Sequence, residues 1–212
     1  MTEQNKPEMR SDFFAAIKDT SLFKRYSKDS RADVINEMKN YEFQKLLDLD
    51  CGTGLLLEQL FEVFPDIEAY GFDYSLERIA EAKKRLAEKN VDFRFGNALQ
   101  LPYDDCSFDM VISTSTFHHY SEPVDILKEV HRVLKPNASL IICDTHLNAT
   151  LRYLNKISKP INEVTDFRLY TEKDVWQLMS QAGFTAIQWK KINKFTYIAK
   201  GTVPTLAEFK SI

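Results

Sequence analysis

Residues 46–54 read Leu-Leu-Asp-Leu-Asp-Cys-Gly-Thr-Gly, an apolar run that ends abruptly in a glycine turn. A helical pattern follows at once, because apolar side chains recur three and four positions apart at Leu57, Leu60, Phe61 and Phe64. The order strand, glycine turn, helix is how an open parallel sheet brings its backbone close to a nucleotide-like ligand. Glycine suits this turn because a side chain would block that approach and restrict the backbone angles.

Length and composition predict a single globular domain over residues 1–212. The chain is 44% hydrophobic and 28% charged, with a net charge of −3, and it contains no run long and apolar enough to cross a membrane. Met1–Arg10 is polar and lacks the apolar stretch of a secretory signal, so we expect a cytoplasmic location. The three cysteines have no metal-ligand spacing and predict reduced, half-buried thiols. Without an arginine-rich cluster interleaved with aromatic residues, nucleic acid is not favoured as a partner.

Strand and helix patterns alternate after the glycine turn. Further strands are predicted at residues 67–72, 91–95, 108–114, 139–143, 186–192 and 195–199. Helices are expected to begin after Ser75 and at Pro123, and Thr171–Asp174 resembles a capping box whose helix ends before Gly183. The short turn at Asn193–Lys194 makes the last two strands an antiparallel hairpin. This alternation predicts an α/β fold with a mostly parallel sheet and helices on both faces.

Four motifs, in their order and spacing, resemble the class I S-adenosylmethionine-dependent methyltransferases, in particular the small-molecule branch typified by ubiquinone/menaquinone biosynthesis enzymes. They are residues 47–54, Gly71-Phe72-Asp73-Tyr74-Ser75, Gly96-Asn97-Ala98 with residues 101–109, and Phe117-His118-His119 with residues 129–136. The resemblance covers about residues 43–200. It implies a Rossmann-like, seven-stranded sheet of order 3-2-1-4-5-7-6 with the last strand antiparallel. It also implies S-adenosylmethionine as the cofactor, S-adenosylhomocysteine as the product and a small organic molecule as the methyl acceptor.

The resemblance also assigns cofactor contacts. Asp48 and the backbone from Gly52 to Gly54 would face the methionine end of the cofactor. Asp73 ends the second strand about 20 residues beyond the turn, which suits a carboxylate that accepts hydrogen bonds from the ribose hydroxyls. Tyr74 follows it in the same motif and is assigned to the cofactor as well. Asp73 could instead only cap the following helix.

The adenine and ammonium groups would be bound by the next two motifs. Asn97 and Ala98 would line the adenine pocket, through the Asn97 side chain and the Ala98 N–H. The carbonyl of Ser113, near the end of the fourth strand, would accept a hydrogen bond from the cofactor ammonium. Asn97 could alternatively be a turn residue.

Two positions depart from the family pattern. Asp50 stands where the family has glycine, so its carboxylate either pairs with the ammonium or repels the carboxylate of the cofactor. Asn97 replaces an aspartate, and its amide oxygen can still accept a hydrogen bond from adenine, without charge assistance. These departures motivate an alternative function, a methyltransferase-like protein with weakened cofactor binding that acts as a binding or regulatory module.

The favoured function is an active methyltransferase, in which the protein positions the acceptor and removes a proton from it. His118 follows the fourth strand at the rim where the acceptor would enter, and it is the candidate general base, ahead of His119. A nicotinamide-dependent oxidoreductase ranks last, because Leu57 occupies the third glycine position of that fingerprint and no catalytic Tyr-Lys pair is apparent. The sequence leaves oxygen, nitrogen and carbon methylation open.

The acceptor pocket is expected to be built by two segments that would lie over the carboxyl ends of the strands. One is an N-terminal helical cap, residues 1–42, and the other is an insertion near the active site, residues 145–165. Aromatic residues in and near these segments are the candidate lining or lid, although ordinary packing would explain them too. They are Phe13, Phe14, Tyr26, Tyr153 and Tyr170.

Overall fold

The structure, a computed structural model, describes residues 21–146, 168, 170–193 and 196–205, with side chains from residue 30 onward. Its strands are β1 (Lys45–Leu49), β2 (Glu68–Asp73), β3 (Val91–Phe95), β4 (Phe108–Thr114), β5 (Leu134–Thr145), β6 (Thr185–Lys191) and β7 (Thr196–Thr202). Its helices are α1 (Ser21–Met38), α2 (Leu55–Val63), α3 (Leu76–Arg85), α4 (Pro123–Val133) and α5 (Glu172–Gln181), with a short 3-10 helix at Phe117–His119.

The strands form one seven-stranded sheet in the order β3-β2-β1-β4-β5-β7-β6. β1 pairs in parallel with β2 and with β4, and β4 pairs in parallel with β5. β7 runs antiparallel to both β5 and β6. The predicted strand order and antiparallel last strand are therefore confirmed. The order changes direction between β1 and β4, and ligands of such sheets bind outside the carboxyl ends of the strands at that point.

The core consists of two apolar layers, one on each face of the sheet. One layer packs α1, α2 and α3 against the sheet, and the other packs α4 and α5 against it. Alternation along β1 sends Leu46 into the first layer and Leu47 and Leu49 into the second. Because both faces of the sheet are covered, a side chain within β1 is shielded from bulk water. Asp48 is the carboxyl group in this position.

Helix caps fall where the local sequence predicts them. The hydroxyl of Ser75 accepts a hydrogen bond from the backbone N–H of Arg78 at the start of α3. Thr171 and Asp174 form a reciprocal capping box at the start of α5. Gly183 follows that helix with a φ of 95°, a conformation that glycine adopts without strain. The first two caps therefore fix the start of α3, directly after β2, and the start of α5, the helix before β6.

Two local expectations were wrong. β5 begins at Leu134 rather than after Asn137, because the buried Leu134 pairs with Phe108 of β4 across a shift in register. Asn137 has a φ of 65° and bends the chain inside the strand instead of preceding it. Cys106 is exposed rather than half-buried, while Cys51 and Cys143 are buried, and none of the three is in a disulfide.

Several predictions lie outside the described residues. They concern residues 1–20 and 147–167, including Phe13, Phe14 and Tyr153, and the side chain of Tyr26. Within the residues that the structure describes, no helix has the length and apolar character needed to cross a membrane.

Candidate active site

The glycine turn after β1 is built from left-handed backbone at alternate positions. Asp50, Gly52 and Gly54 have φ angles of 60°, 57° and 78°. A Cβ added at Gly52 would meet no atom within 4 Å, so this position borders open space. A Cβ at Gly54 would lie 3.3 Å from Ala82, so this glycine lets α2 approach α3. Cofactor contact at both glycines stays a prediction, but at Gly54 packing also requires glycine.

Asp73 ends β2 and is fully buried. One carboxylate oxygen accepts the backbone N–H of Gly52 at 2.9 Å, and the other accepts the backbone N–H of Ser75 at 2.9 Å. The guanidinium of Arg78 lies 3.8 Å from the oxygen that bonds Gly52. Asp73 therefore ties the glycine turn to the start of α3, as the helix-capping alternative proposes. Carboxylate oxygens can accept further hydrogen bonds, so a ribose contact stays a prediction.

Asp48 is a buried carboxyl group, 1% exposed. Neither of its oxygens has a hydrogen-bond partner among the residues that the structure describes. Burial, followed by the negative charges of Asp50 and Asp73, raises the pKa of Asp48 well above its ordinary value. A buried carboxyl without a partner costs several kcal/mol, about 2–7 for a neutral polar group and more for a charge. A cationic group or hydrogen-bond donor supplied by a ligand would offset that cost.

Asp50 directs its carboxylate towards the chain that follows β4. The hydroxyl of Tyr120 donates a hydrogen bond to Asp50 Oδ2. Burial raises the pKa of Asp50 to about 6, although the hydrogen bond from Tyr120 acts to lower it. In the same place, Ser113 Oγ lies 3.0 Å from Thr116 Oγ1, and Ser113 is buried. The ends of β1 and β4 are thus joined by a hydroxyl-rich cluster around Asp50, which sequence reasoning did not foresee.

The predicted adenine and ribose contacts lie near the ends of β2 and β3. Asn97 follows β3, and its side-chain oxygen accepts the backbone N–H of Leu99 at 3.0 Å, as a turn residue does. Ala98 is buried. Tyr74 is 68% exposed, with the guanidinium of Arg78 centred 5.4 Å from the centre of its ring. Cofactor contacts of Tyr74, Asn97, Ala98 and Ser113 stay predictions.

His118 forms a buried pair with Asp144 at the end of β5. His118 Nδ1 lies 2.6 Å from Asp144 Oδ1, and the backbone N–H of His118 donates to Asp144 Oδ2 at 3.0 Å. Burial opposes ionisation of Asp144, but attraction to His118 and these hydrogen bonds hold the pKa of Asp144 below its ordinary value. An ionised carboxylate only accepts, so the Nδ1 of His118 that faces Asp144 carries a proton.

An aromatic group lies beside this pair. The ring of Phe117 lies 5.7 Å from the ring of Tyr120 and 5.1 Å from that of Tyr170, centre to centre. The chain returns to the same place at Arg168, whose backbone N–H donates to the carbonyl of His118 at 2.8 Å. The residues just before α5 therefore border the candidate site, and they include Tyr170, one of the predicted lining residues.

Asp144 and Tyr120 are the site residues that the sequence did not single out. Asp144 could have been found from the strand order, because a carboxylate that follows the apolar run 139–143 must emerge next to the end of β4. Tyr120 carried no such signal, since its contact with Asp50 joins positions 70 residues apart.

The sequence of residues 42–200 matches the family described as a methyltransferase domain. The chain belongs to this methyltransferase family. Family membership confirms the resemblance found in the sequence, and with it a methyltransferase as the class of enzyme and S-adenosylmethionine as the cofactor. No comparison favours the alternative of a regulatory module.

Quinone methyltransferases are among the relatives of this methyltransferase. It is 29% identical over 185 residues to a demethylmenaquinone methyltransferase of Lactococcus lactis, covering 76% of this chain and 73% of the relative. It is 36% identical over 114 residues to the enzyme of that name from Thermotoga maritima, covering 54% of this chain. The match spans about half the length of two relatives. It covers 54% of a demethylmenaquinone methyltransferase of Geobacillus kaustophilus and 49% of the Thermotoga maritima enzyme.

Solved structures agree with the observed fold. A SAM-dependent methyltransferase from Aquifex aeolicus is 25% identical with a TM-score of 0.67, and the match covers 82% of this chain and 89% of that one. A Pyrococcus horikoshii protein is 27% identical with a TM-score of 0.71, and the match covers 87% and 92% of the two chains.

The residues of this methyltransferase fit S-adenosylmethionine. The oxygens of Asp48, which have no hydrogen-bond partner among the described residues, could accept hydrogen bonds from the cofactor ammonium, because they are buried beside the glycine turn. The open space at Gly52 allows a ligand to approach the backbone of the turn. Asp73 could hold the ribose hydroxyls while it anchors that turn.

Proposed function

We propose that this methyltransferase methylates a carbon atom of a small aromatic quinol, bound over the carboxyl ends of β1 and β4. The observation that carries the proposal is the buried Asp48, whose oxygens lack partners among the described residues, at the point where the strand order changes direction. A ring carbon of a quinol is the acceptor that the names of the curated relatives suggest. When bound, S-adenosylmethionine supplies a methyl group already activated by its sulfonium.

The protein then has to position the acceptor and accept a proton. Tyr120 and Tyr170, which are partly buried beside the fully buried Phe117, offer aromatic faces on which a flat ring can pack. His118 is the proposed general base, acting through Nε2, because Asp144 holds its Nδ1. The new bond between the methyl and the ring carbon would replace the bond between the methyl and the cofactor sulfur, so that S-adenosylhomocysteine would be the leaving group. The proton lost from the acceptor would go to His118. Asp144 is a positioning residue, since it acts through His118.

A cytoplasmic location and the pocket-building roles of residues 1–42 and 145–165 are also part of the proposal. The contacts of the residues on either side support the role of the second segment. Thr145 ends β5 and donates its backbone N–H to Asp144, and the backbone N–H of Arg168 donates to the carbonyl of His118.

The test is a methylation assay with a short-chain naphthoquinol, reduced by dithionite, as the acceptor. Mass spectrometry is expected to find a product heavier by one methylene group and methylated on the ring carbon. His118→Gln is expected to lower kcat by about 100-fold, as removal of a general base does, with the Kd for S-adenosylmethionine within about threefold. His131→Gln is the matched control, because its ring packs against Phe184 instead of the site, and it is expected to leave kcat unchanged.

Binding of S-adenosylmethionine without any ring methylation would overturn the quinol acceptor. Equal kcat values for the wild type and His118→Gln would remove His118 from the mechanism while leaving the acceptor in place.

A further inference from the structure

Asp50 is the feature of the site that the proposed function does not use. Its left-handed φ of 60° is one that glycine adopts freely and that aspartate tolerates better than most side chains. Asp50 lies two residues before Gly52, the position that borders open space, and its carboxylate accepts a hydrogen bond from the hydroxyl of Tyr120. A residue that requires strained backbone and a dedicated partner needs an explanation beyond packing.

The surroundings of Asp50 are strongly acidic. In addition to burial, the negative charge of Asp73, on β2, raises the pKa of both Asp50 and Asp48, and Asp50 also raises the pKa of Asp48. The positive charge of Arg78, on α3, acts to lower the pKa of Asp50. Arg78 lies 3.8 Å from Asp73 and is partly exposed, so it compensates the three carboxylates incompletely. Asp48, buried and without a hydrogen-bond partner in the described part of the chain, shows independently that this place awaits a cation or donor.

The two forms of the cofactor differ in charge at one atom. S-adenosylmethionine and S-adenosylhomocysteine carry the same ammonium and carboxylate, but only the first has a positively charged sulfur. Any repulsion between Asp50 and the cofactor carboxylate therefore acts on both ligands equally and cancels in the ratio of their affinities. Attraction to the sulfonium does not cancel, and it is strong in a site shielded from water.

We propose that Asp50, held by Tyr120, makes this site select the sulfonium cofactor over its neutral thioether product. This inference rests on the proposed function, because it assumes that the cofactor binds at the glycine turn. The consequence is weak product inhibition, since loss of the methyl group removes the charge that Asp50 attracts. Asp50 thus acts as a specificity-determining residue, and Tyr120 positions its carboxylate.

The test is calorimetric titration, at pH 7.5, with S-adenosylmethionine, S-adenosylhomocysteine and sinefungin, an analogue with a protonated amine in place of the methylsulfonium. The measured quantity is the Kd for S-adenosylhomocysteine divided by the Kd for each cation. Asp50→Asn keeps the shape of the side chain and tolerates the left-handed backbone, so it is expected to fold. It is expected to lower both ratios by about tenfold, roughly one charge interaction in a partly screened site.

Two further variants sharpen the test. Tyr120→Phe is expected to lower the ratios by an intermediate amount, because it leaves the charge but releases the carboxylate. Asp92→Asn removes an exposed carboxylate that pairs with Arg94 on β3, and it is expected to leave the ratios unchanged.

Equal ratios in the wild type and Asp50→Asn, with both ligands bound, would overturn the inference and leave the methyltransferase function intact. If Tyr120→Phe had the same Kd ratios as the wild type, Tyr120 would have no part in the selection. Failure of the folded wild type to bind any of the three ligands would instead overturn the proposed function.

Discussion

At the scale of single residues, the pairing of His118 with Asp144 makes a prediction about proton transfer. Asp144→Asn keeps an oxygen for the backbone N–H of His118 but removes the negative charge that stabilises a protonated imidazole. We expect kcat to fall at least tenfold, because the amide N–H of the asparagine would donate to Nδ1 and leave the proton of the neutral ring on Nε2. The measurement is kcat with saturating quinol and cofactor, together with the Kd for S-adenosylmethionine.

Asp125→Asn is the control, because Asp125 is exposed and pairs only with Lys128 among the ion pairs described. If Asp144 had a purely structural role, Asp144→Asn would lower the melting temperature and leave the kcat of the folded protein equal to that of the wild type.

Asp50 makes a second prediction at this scale, about stability without ligand. Burial raises its pKa to about 6, from an ordinary value near 4, with Asp73 adding repulsion and Tyr120 and Arg78 opposing it. A carboxyl whose pKa is raised on folding favours the folded state at low pH, and this contribution is lost as pH rises through about 6. At pH 7.5 we therefore expect Asp50→Asn to raise the melting temperature by a few degrees.

The same substitution is expected to give about a third of that gain at pH 4.5, where Asp50 is protonated in the folded protein and ionised mainly in the unfolded chain. Circular dichroism melts at the two pH values make the comparison, with Asp92→Asn as the control. A gain of equal size at both pH values would show that charge is not its cause.

At the scale of elements, local sequence signals predicted helix caps well and strand limits less well. The capping box at the start of α5 and the cap at Ser75 involve residues three positions apart, so the sequence contains the whole interaction. The early start of β5 depends on Leu134 meeting Phe108, a contact between two elements that no local pattern contains. For the same reason, the sequence predicted Asp73 and His118 as site residues but not their hydrogen bonds. Asp73 binds the backbone of Gly52, and His118 binds Asp144.

The capping box allows α5 to be tested separately from the site. Thr171→Ala removes the hydroxyl that accepts the N–H of Asp174, and the expected cost is about 1 kcal/mol, or a melting temperature lower by about 2–4 °C. Thr171→Ser retains the hydroxyl and is expected to melt close to the wild type. Because α5 packs beside α4 and β6, affinity for S-adenosylmethionine should be unchanged in both variants. Loss of affinity in Thr171→Ala would mean that α5 is coupled to the cofactor site.

At the scale of the whole molecule, one sheet connects the site to its far edge. The predicted cofactor contacts lie at the ends of β2, β1 and β4, whereas β6 is separated from β4 by β5 and β7. The strand order came from the family resemblance, since periodicity alone gives strands and helices without their arrangement. The burial of both faces by continuous apolar layers indicates that the described part of the chain unfolds as one unit.

Cooperative unfolding makes a prediction that tryptophan fluorescence can test. Trp176 lies in α5 and Trp189 in β6, outside the strands at which the cofactor is expected to bind. At 100 times its Kd, S-adenosylmethionine should stabilise the folded state by about 2.7 kcal/mol, which raises the melting temperature by about 5–10 °C. Tryptophan fluorescence and far-ultraviolet circular dichroism should shift by the same amount, because binding at β1 and β2 stabilises a sheet that unfolds together. A shift seen by circular dichroism but not by fluorescence would show that β6 and α5 unfold independently of the site.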